Sequence, residues 1–129
     1  MMSRRLRVLI VDDHPGIVKS VSRLLACDCD VVGSVSDCSG LSQAAQDLKP
    51  DIVVLDVNLP YINGLKACRQ LTQDNPGMKV IVFTAVADLD VKRRAFEAGA
   101  SAFVHKLGFD EDLLSVVRRL GANSAGGVE

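Results

Sequence analysis

Residues 52–55 read I-V-V-L and are followed directly by Asp56, after which the chain continues through Gly64 as V-N-L-P-Y-I-N-G. An uninterrupted apolar run that is rich in Val and Ile is typical of a strand with both faces covered, as in a parallel sheet. In open α/β sheets, sites form beyond the carboxyl ends of the strands. The segment therefore predicts a parallel sheet with Asp56 at its functional edge.

The rest of the chain repeats this pattern of a short apolar run followed by an amphipathic segment. The other four runs are Leu6–Val11, Val31–Val35, Val80–Phe83 and Ala102–Val104. Strands that alternate with helices over short connections form parallel sheets with helices on both faces. The prediction is an α/β fold with a single doubly wound, five-stranded parallel sheet. Its five βα units suit the flavodoxin-like strand order 2-1-3-4-5.

Several residues mark the expected helix boundaries. Pro15 suits a first helical turn, and Asn63 and Asp88 can accept hydrogen bonds from free N–H groups as N-caps. Gly121 is expected just beyond the last helix. We therefore predict one domain over residues 1–121, followed by a small, Gly-rich flexible tail over residues 122–129.

Composition and charge indicate one globular domain. The chain has 129 residues, of which 48% are hydrophobic and 24% charged, and its formal net charge is −1. This balance does not favour direct binding of nucleic acid or of a membrane surface. The apolar part of the N-terminal segment is too short for a signal peptide or a membrane span. We therefore expect the protein to act in the cytoplasm.

The four cysteines give no sign of a metal site. Cys27 and Cys29 form a C-x-C pair, but Cys38 and Cys68 lack the spacing of metal ligands, and no histidine lies nearby. In a cytosolic protein the thiols are expected to be reduced. Cys68 falls in the apolar stripe of its helix, where a cysteine serves as a small buried hydrophobe.

Residues able to carry chemistry follow four of the five predicted strands. They are Asp12 and Asp13 after the first strand, Asp56 after the third, Thr84 after the fourth and Lys106 after the fifth. After the second strand, residues 34–37 show no comparable chemistry. Three carboxylates at one edge repel one another unless a cation is present. Mg²⁺, which prefers oxygen ligands, would relieve that repulsion.

The motifs at these strand ends resemble the receiver domains of bacterial two-component response regulators. They read V-L-I-V-D-D-H, V-V-L-D-V-N-L-P-Y-I-N-G, V-F-T-A and F-V-H-K, and the resemblance runs from about Arg7 to Leu120. The D-D-H-P opening is similar to receivers that precede helix-turn-helix output domains. The resemblance implies a phosphoacceptor signalling domain that controls transcription, not a classical enzyme.

The resemblance also implies a role for each matching residue. Asp56 would accept a phosphoryl group from a sensor histidine kinase, a phosphotransfer protein or a small phosphodonor. Asp12, Asp13, Asp56 and the backbone carbonyl of Asn58 would hold Mg²⁺, and Lys106 would pair with the phosphoryl oxygens. Phosphoryl transfer needs an in-line nucleophile and neutralised equatorial oxygens, and Mg²⁺ and lysine supply that neutralisation.

The same resemblance assigns the readout to Thr84 and Phe103. Thr84 would hydrogen-bond the phosphoryl group, and the Phe103 ring would fill the space that Thr84 vacates; alternatively, Phe103 is an ordinary core residue. The fourth helix, fifth strand and fifth helix would form the signalling surface, which could mediate a homodimer. The charged residues of that surface are Asp88, Asp90, Lys92, Arg93, Arg94, Asp110, Glu111 and Arg118.

Two positions depart from the pattern of the family. Many receivers have proline after the conserved lysine, in support of a cis bond, whereas this chain has Leu107. Because a cis bond before a non-proline residue costs about 3 kcal/mol, we expect the Lys106–Leu107 bond to be trans. His14 follows the acidic pair, where it is either a surface residue near a helix start or a group that tunes metal binding.

Three other interpretations are open at this point. A haloacid-dehalogenase-like phosphatase would need an acid/base Asp two residues after the nucleophile, where this chain has Asn58. A flavodoxin-like FMN-binding protein would need a phosphate-binding loop after the first strand, where this chain has two carboxylates. A receiver-fold interaction module that works without phosphorylation would share the fold.

Overall fold

The computed structural model describes residues 5–57, 61–85 and 88–126, with the backbone alone for residues 61, 62, 110, 111 and 122–126. The elements are β1 (Leu6–Val11), α1 (Pro15–Leu25), β2 (Cys29–Val35), a 3₁₀ helix (Cys38–Gly40), α2 (Leu41–Leu48), β3 (Ile52–Asp56), α3 (Tyr61–Asp74), β4 (Lys79–Thr84), α4 (Leu89–Glu97), β5 (Ala102–His105) and α5 (Phe109–Gly126). Each predicted strand is present, and each is followed by a helix.

The strands form one parallel sheet in the order β2-β1-β3-β4-β5, which confirms the predicted topology. β1 and β3 are neighbours although β2 lies between them in the sequence, so the winding direction reverses between these two strands. In this fold class a crevice opens at such a switch point, beyond the carboxyl ends of the strands. The acidic residues that follow β1 and end β3 therefore lie where ligands bind in doubly wound sheets.

Both faces of the sheet are buried, which explains why the strand sequences do not alternate. Leu9 and Val53 belong to the core beneath α2, α3 and α4, while Val8 and Val54 belong to the core beneath α1 and α5. Fully burying a side chain of this size contributes about 1.5–3 kcal/mol. Cys68 is fully buried in the first core, and burial raises the pKa of its thiol to about 11, as fits a small hydrophobe.

The structure tests the three predicted helix starts. Pro15 is the first residue of α1, and the Asp88 side chain caps α4 by accepting a 2.8 Å hydrogen bond from the backbone N of Asp90. Those two predictions are confirmed. The N-cap predicted at Asn63 is wrong, because α3 begins at Tyr61. Residue types that favour helix starts locate a boundary only to within a few positions.

The helix end predicted at Gly121 is also wrong, because α5 continues to Gly126. A side chain at position 121 would overlap Leu6 of β1, so glycine here permits close packing of the helix on the strand. Glycine costs about 1 kcal/mol relative to alanine inside a helix, which a long, well-packed helix tolerates. The flexibility of residues 122–129 stays a prediction, and residues 127–129 lie outside the described part of the chain.

Gly99, between α4 and β5, has a φ of 102°, and a Cβ at this position would overlap Thr72 Oγ1. We expect Gly99→Ala to lower the free energy of unfolding by about 2 kcal/mol, from backbone strain and overlap together. Chemical denaturation measures this loss.

Two other glycines distinguish the effect of backbone strain from that of overlap with a neighbouring side chain. Gly108 has a φ of 67° in open space, so Gly108→Ala should cost about 1 kcal/mol from strain alone. Gly77 has open space and no positive φ, so Gly77→Ala should be near neutral. Equal losses in all three variants would contradict the interpretation of Gly99.

Of the helices that the structure describes, none combines the length and the apolar character needed to cross a membrane.

Candidate functional site

Strand register brings the predicted site residues to one level of the sheet edge. The last paired residues of β1 lie opposite the residues of β3 that precede Asp56, so Asp12 and Asp56 follow at the same level. Thr84 pairs with His105 across β4 and β5, which places Lys106 one residue further. The Lys106 backbone N donates to the Thr84 carbonyl at 2.8 Å and extends this ladder.

Lys106 joins two buried carboxylates. Its Nζ lies 2.9 Å from Asp12 Oδ2 and 2.9 Å from Asp56 Oδ1. The side chains of Asp12 and Asp56 are 0% and 4% exposed, and that of Lys106 is 11% exposed. One ammonium group thus faces two carboxylates, and the group of three has a net negative charge that is shielded from water.

Burial and ion pairing act on Lys106 in opposite directions. Burial lowers the pKa of its ammonium group, while the hydrogen-bonded pairs with Asp56 and Asp12 raise it, and the pKa lies above the ordinary value of 10.5. The Phe83 ring also faces the ammonium group, with its centroid 5.5 Å from Nζ. Lys106 is therefore charged at neutral pH and offsets part of the carboxylate charge.

Asp13 and His14 lie at the exposed rim of the site, where each side chain is 61% exposed. His14 Nδ1 lies 3.0 Å from Asp12 Oδ1 and 2.9 Å from Asp13 Oδ1. The His14 backbone N also donates to Asp12 Oδ1 at 2.9 Å. The imidazole is thus solvent-exposed and in contact with both acids of the pair.

The ligand atoms of Asp12, Asp13, His14 and Asp56 all lie within 4.8 Å of one another. This group could hold a divalent metal ion, because clustered carboxylates need a cation and supply the hard oxygen ligands that such ions prefer. The donor set therefore fits Mg²⁺. Asn58, whose backbone carbonyl was predicted to join this set, lies outside the described residues.

The two predicted switch residues occupy different surroundings. Thr84 is fully buried, and its hydroxyl donates a 2.8 Å hydrogen bond to the carbonyl of Val57, the residue next to Asp56. Phe103 is half-buried and packs against the core beneath α2, α3 and α4. Thr84 is therefore placed beside the end of β3, and the switch role of both residues stays a prediction.

A cavity of about 690 Å³ opens beside the acidic residues. Its far wall is formed by the loop after β2 and by α3, with Ser36, Asp37, Cys38, Ser39, Asn63, Gly64, Lys66, Ala67 and Gln70. Sequence reasoning expected no contribution from the end of the second strand and missed this wall. The predicted strand order could have revealed this wall. Because β2 adjoins β1 in that order, the carboxyl end of β2 must lie beside the acidic pair.

Three arginines of the predicted signalling surface pair with carboxylates of the same chain. Arg93 and Arg94 both pair with Asp90 along α4, and Arg118 of α5 pairs with Asp28 at 2.7 Å. Exposed pairs of this kind contribute at most about 1 kcal/mol. A dimer that used these charges would compete with the existing pairs.

The same surface also exposes apolar side chains. Leu89 at the start of α4 is 82% exposed, and Leu107 after β5 is 80% exposed. The side chains of Asp110 and Glu111 lie outside the part of the chain that is described. The homodimer contact and the trans Lys106–Leu107 bond stay predictions.

Comparison with known families agrees with this geometry. The sequence model of the response regulator receiver domain matches residues 8–118. The chain belongs to the response regulator receiver family. The expectation drawn from the motifs at the strand ends is thereby confirmed, and the phosphatase and FMN-binding interpretations are not supported.

Relatives of this receiver domain include transcriptional regulators. It is 34% identical over 119 residues to the response regulator GacA of Pseudomonas aeruginosa, covering 91% of this chain and 56% of that protein. It is 32% identical over 118 residues to the DNA-binding response regulator MtrA of Mycolicibacterium smegmatis, covering 92% and 51%. The chain thus spans about half the length of the curated relatives it matches.

Solved structures confirm the receiver fold. A CheY-like receiver domain from Methanospirillum hungatei superposes with a TM-score of 0.84 at 26% identity, covering 96% of this chain and 99% of that one. A LuxR-family response regulator from Aurantimonas superposes with a TM-score of 0.81 at 31% identity, covering 95% and 87%.

Proposed function

We propose that this receiver domain takes up a phosphoryl group on Asp56 beside a bound Mg²⁺ ion and so controls transcription. The observation that carries the proposal is the pair of buried carboxylates, Asp12 and Asp56, that one ammonium group of Lys106 joins across neighbouring strands. Burying charged groups costs desolvation free energy, so a buried ion pair is weak evidence of a purely stabilising role. Such clusters at a cleft are typical of functional sites.

Asp56 would act as the nucleophile. One carboxylate oxygen bonds to phosphorus while the bond from phosphorus to the donor's nitrogen or oxygen breaks, and the donor leaves with the bonding electron pair. Lys106, already paired with that carboxylate, is placed to pair with a phosphoryl oxygen. Mg²⁺ held by Asp12, Asp13, Asp56 and the Asn58 carbonyl would neutralise charge on the acids and the phosphoryl group. A sensor histidine kinase or a phosphotransfer protein would be the natural donor.

Incubation with acetyl phosphate and Mg²⁺ is expected to add one phosphoryl group per chain, measured by intact mass. Chelation of Mg²⁺ should slow uptake at least about tenfold, because the unneutralised carboxylates repel an anionic donor, and added Mg²⁺ should restore it. A folded protein that takes up no phosphoryl group at saturating donor would contradict the proposal. That result would favour the interaction module that works without phosphorylation.

We extend the proposal to the readout. The Thr84 hydroxyl, which donates to the Val57 carbonyl, would turn to a phosphoryl oxygen, and the Phe103 ring would move into the vacated space. In Thr84→Val, uptake should persist while the Phe103 ring resonances in NMR spectra no longer respond to it. Thr84→Ser should retain the response. A full response in Thr84→Val would remove Thr84 from the switch.

We further propose how this domain passes on its signal, how it associates and where it acts. The named relatives include a DNA-binding response regulator, and the surface formed by α4, β5 and α5 exposes Leu89 and Leu107. We expect phosphorylation to favour a homodimer through this surface, in the cytoplasm, with no contact of this chain with nucleic acid. Sedimentation with and without the donor measures the dimer, and an unchanged mass after full phosphorylation would exclude it.

A further inference from the structure

We propose that His105 is a positioning residue for Lys106: its ring holds the backbone that follows the lysine and so keeps the ammonium group at the acceptor carboxylate. The inference rests on the proposed function, in which Lys106 pairs with a phosphoryl oxygen, and it adds a residue that acts through Lys106. It begins from a hydrogen bond at the end of β5, in which the backbone N of Leu107 donates to His105 Nδ1 at 3.0 Å.

Two hydrogen bonds hold the backbone on either side of the Lys106 Cα atom. Before it, the backbone N of Lys106 donates to the Thr84 carbonyl at 2.8 Å. After it, the backbone N of Leu107 donates to the His105 ring. His105 is itself paired with Thr84 across β4 and β5, so its imidazole projects from the sheet. Both peptide groups that flank the lysine are therefore tied to the end of the sheet.

The residues after Lys106 contribute little other anchoring. The Leu107 side chain is 80% exposed, and Gly108 has no side chain and a φ of 67°. The next side-chain contact is that of Phe109, whose ring packs edge-on against Phe83 with centroids 5.5 Å apart. The bond to His105 therefore bears most of the restraint on the peptide that follows the lysine.

The residue types at positions 105 and 107 suit this bond. Leu107 has a backbone N–H to donate, which the proline found after the lysine in many receivers lacks. Acceptance at Nδ1 requires the neutral imidazole with its proton on Nε2. A side-chain acceptor bound to the N–H two residues further on is the arrangement of an Asx-turn, which asparagine makes with its amide oxygen. Asparagine at position 105 should thus keep the bond, and phenylalanine should remove it while keeping a ring.

The placement of Lys106 matters because its Nζ lies 2.9 Å from Asp56 Oδ1, the carboxylate that would attack phosphorus. Hydrogen bonds weaken steeply as their geometry departs from the ideal, and a reacting group misplaced by about 1 Å can slow a reaction about a hundredfold. Removal of the His105 acceptor loosens one of the two ties and leaves the other. The expected effect is therefore smaller than the loss of the ammonium group itself.

In His105→Phe, the rate of phosphoryl uptake from acetyl phosphate with Mg²⁺ is expected to fall about fivefold. His105→Asn should return the rate to within about twofold of that of the unmodified chain. Leu107→Ala keeps the backbone donor and removes only the exposed side chain, so it should match the unmodified chain. In the Lys106→Met background, His105→Phe should cause no further fall, because a positioning residue acts through the group that it places.

A second measurement needs no phosphodonor. The ¹⁵Nζ resonance of Lys106 in NMR spectra, assigned by its loss in Lys106→Met, is expected to shift in His105→Phe and to return towards its original position in His105→Asn. This resonance reports the surroundings of the ammonium group directly, whether or not Asp56 is phosphorylated.

The two measurements distinguish failure of this inference from failure of the proposed function. Uptake by His105→Phe at the full rate, or an unmoved Lys106 resonance, would overturn the positioning role. A loss that His105→Asn did not restore would also overturn it, because the ring and not its acceptor nitrogen would then matter. Absence of uptake by the unmodified chain would contradict the proposed function, while a Lys106 resonance that still responded to His105→Phe would support the placement of the lysine by His105.

Discussion

Replacing Asp56 with asparagine is expected to abolish phosphoryl uptake, a loss to below the detection limit of intact-mass measurement with acetyl phosphate and Mg²⁺. The amide has no anionic oxygen to attack phosphorus, and it removes one ligand of the metal site. The fold should survive, because the change leaves Lys106 paired with Asp12 and relieves repulsion between two buried carboxylates. The free energy of unfolding is therefore expected to stay the same or rise.

Asp37→Asn is the matched control. Asp37 lines the same cavity, but its side chain accepts hydrogen bonds from the backbone N and the hydroxyl of Ser39, which lower its pKa. This variant should take up one phosphoryl group at nearly the rate of the unmodified chain. Uptake by Asp56→Asn at full stoichiometry would place the acceptor elsewhere.

Lys106→Met is expected to produce the largest loss of stability, about 3 kcal/mol in chemical denaturation without divalent ions. The change removes the ammonium group that lies 2.9 Å from both Asp12 Oδ2 and Asp56 Oδ1 and leaves two buried carboxylates to repel each other. Methionine retains the apolar part of the lysine side chain, so the loss of stability measures the contribution of the ammonium charge. Mg²⁺ should stabilise this variant more than the unmodified chain, because the ion neutralises the same acids.

The exposed Lys92 of α4 provides the control, since Lys92→Met should change the free energy of unfolding by less than about 0.5 kcal/mol. A loss in Lys106→Met no larger than in Lys92→Met would contradict the importance of the buried ion pairs. Phosphoryl uptake and the response of the signalling surface should both be impaired in Lys106→Met.

The difference in unfolding free energy between the unmodified chain and Lys106→Met should depend on pH in a defined direction. The pKa of Lys106 lies above its ordinary value of 10.5 because the carboxylate pairs outweigh burial, so the folded state holds this proton more tightly than the unfolded state. The stabilisation is fully present below the unfolded pKa and is lost as pH rises through the folded pKa. The stability difference between the unmodified chain and Lys106→Met should therefore be constant from pH 7 to about pH 10 and shrink above it. A difference that grew at alkaline pH would contradict the pairing.

The local sequence determined the sheet and the chemistry at its edge. Apolar runs without alternation require two covered faces, and parallel strands bring their carboxyl ends to one edge, so Asp12, Asp56 and Lys106 could be predicted to converge. The structure confirms that convergence, with both ion pairs at 2.9 Å. These features follow from the short-range apolar pattern and from the residue that ends each run, which a single sequence contains.

Tertiary structure decided what depends on contacts between distant segments. Gly121 was predicted to lie just beyond the end of α5, yet it lies inside the helix, where the absence of a side chain lets the helix pack closely on Leu6 of β1. The wall of the cavity formed by the loop after β2 arises from the adjacency of β2 and β1, and the orientation of His14 arises from its backbone bond to Asp12. Close approach and side-chain direction are set by neighbours in space, and residue type alone does not specify them.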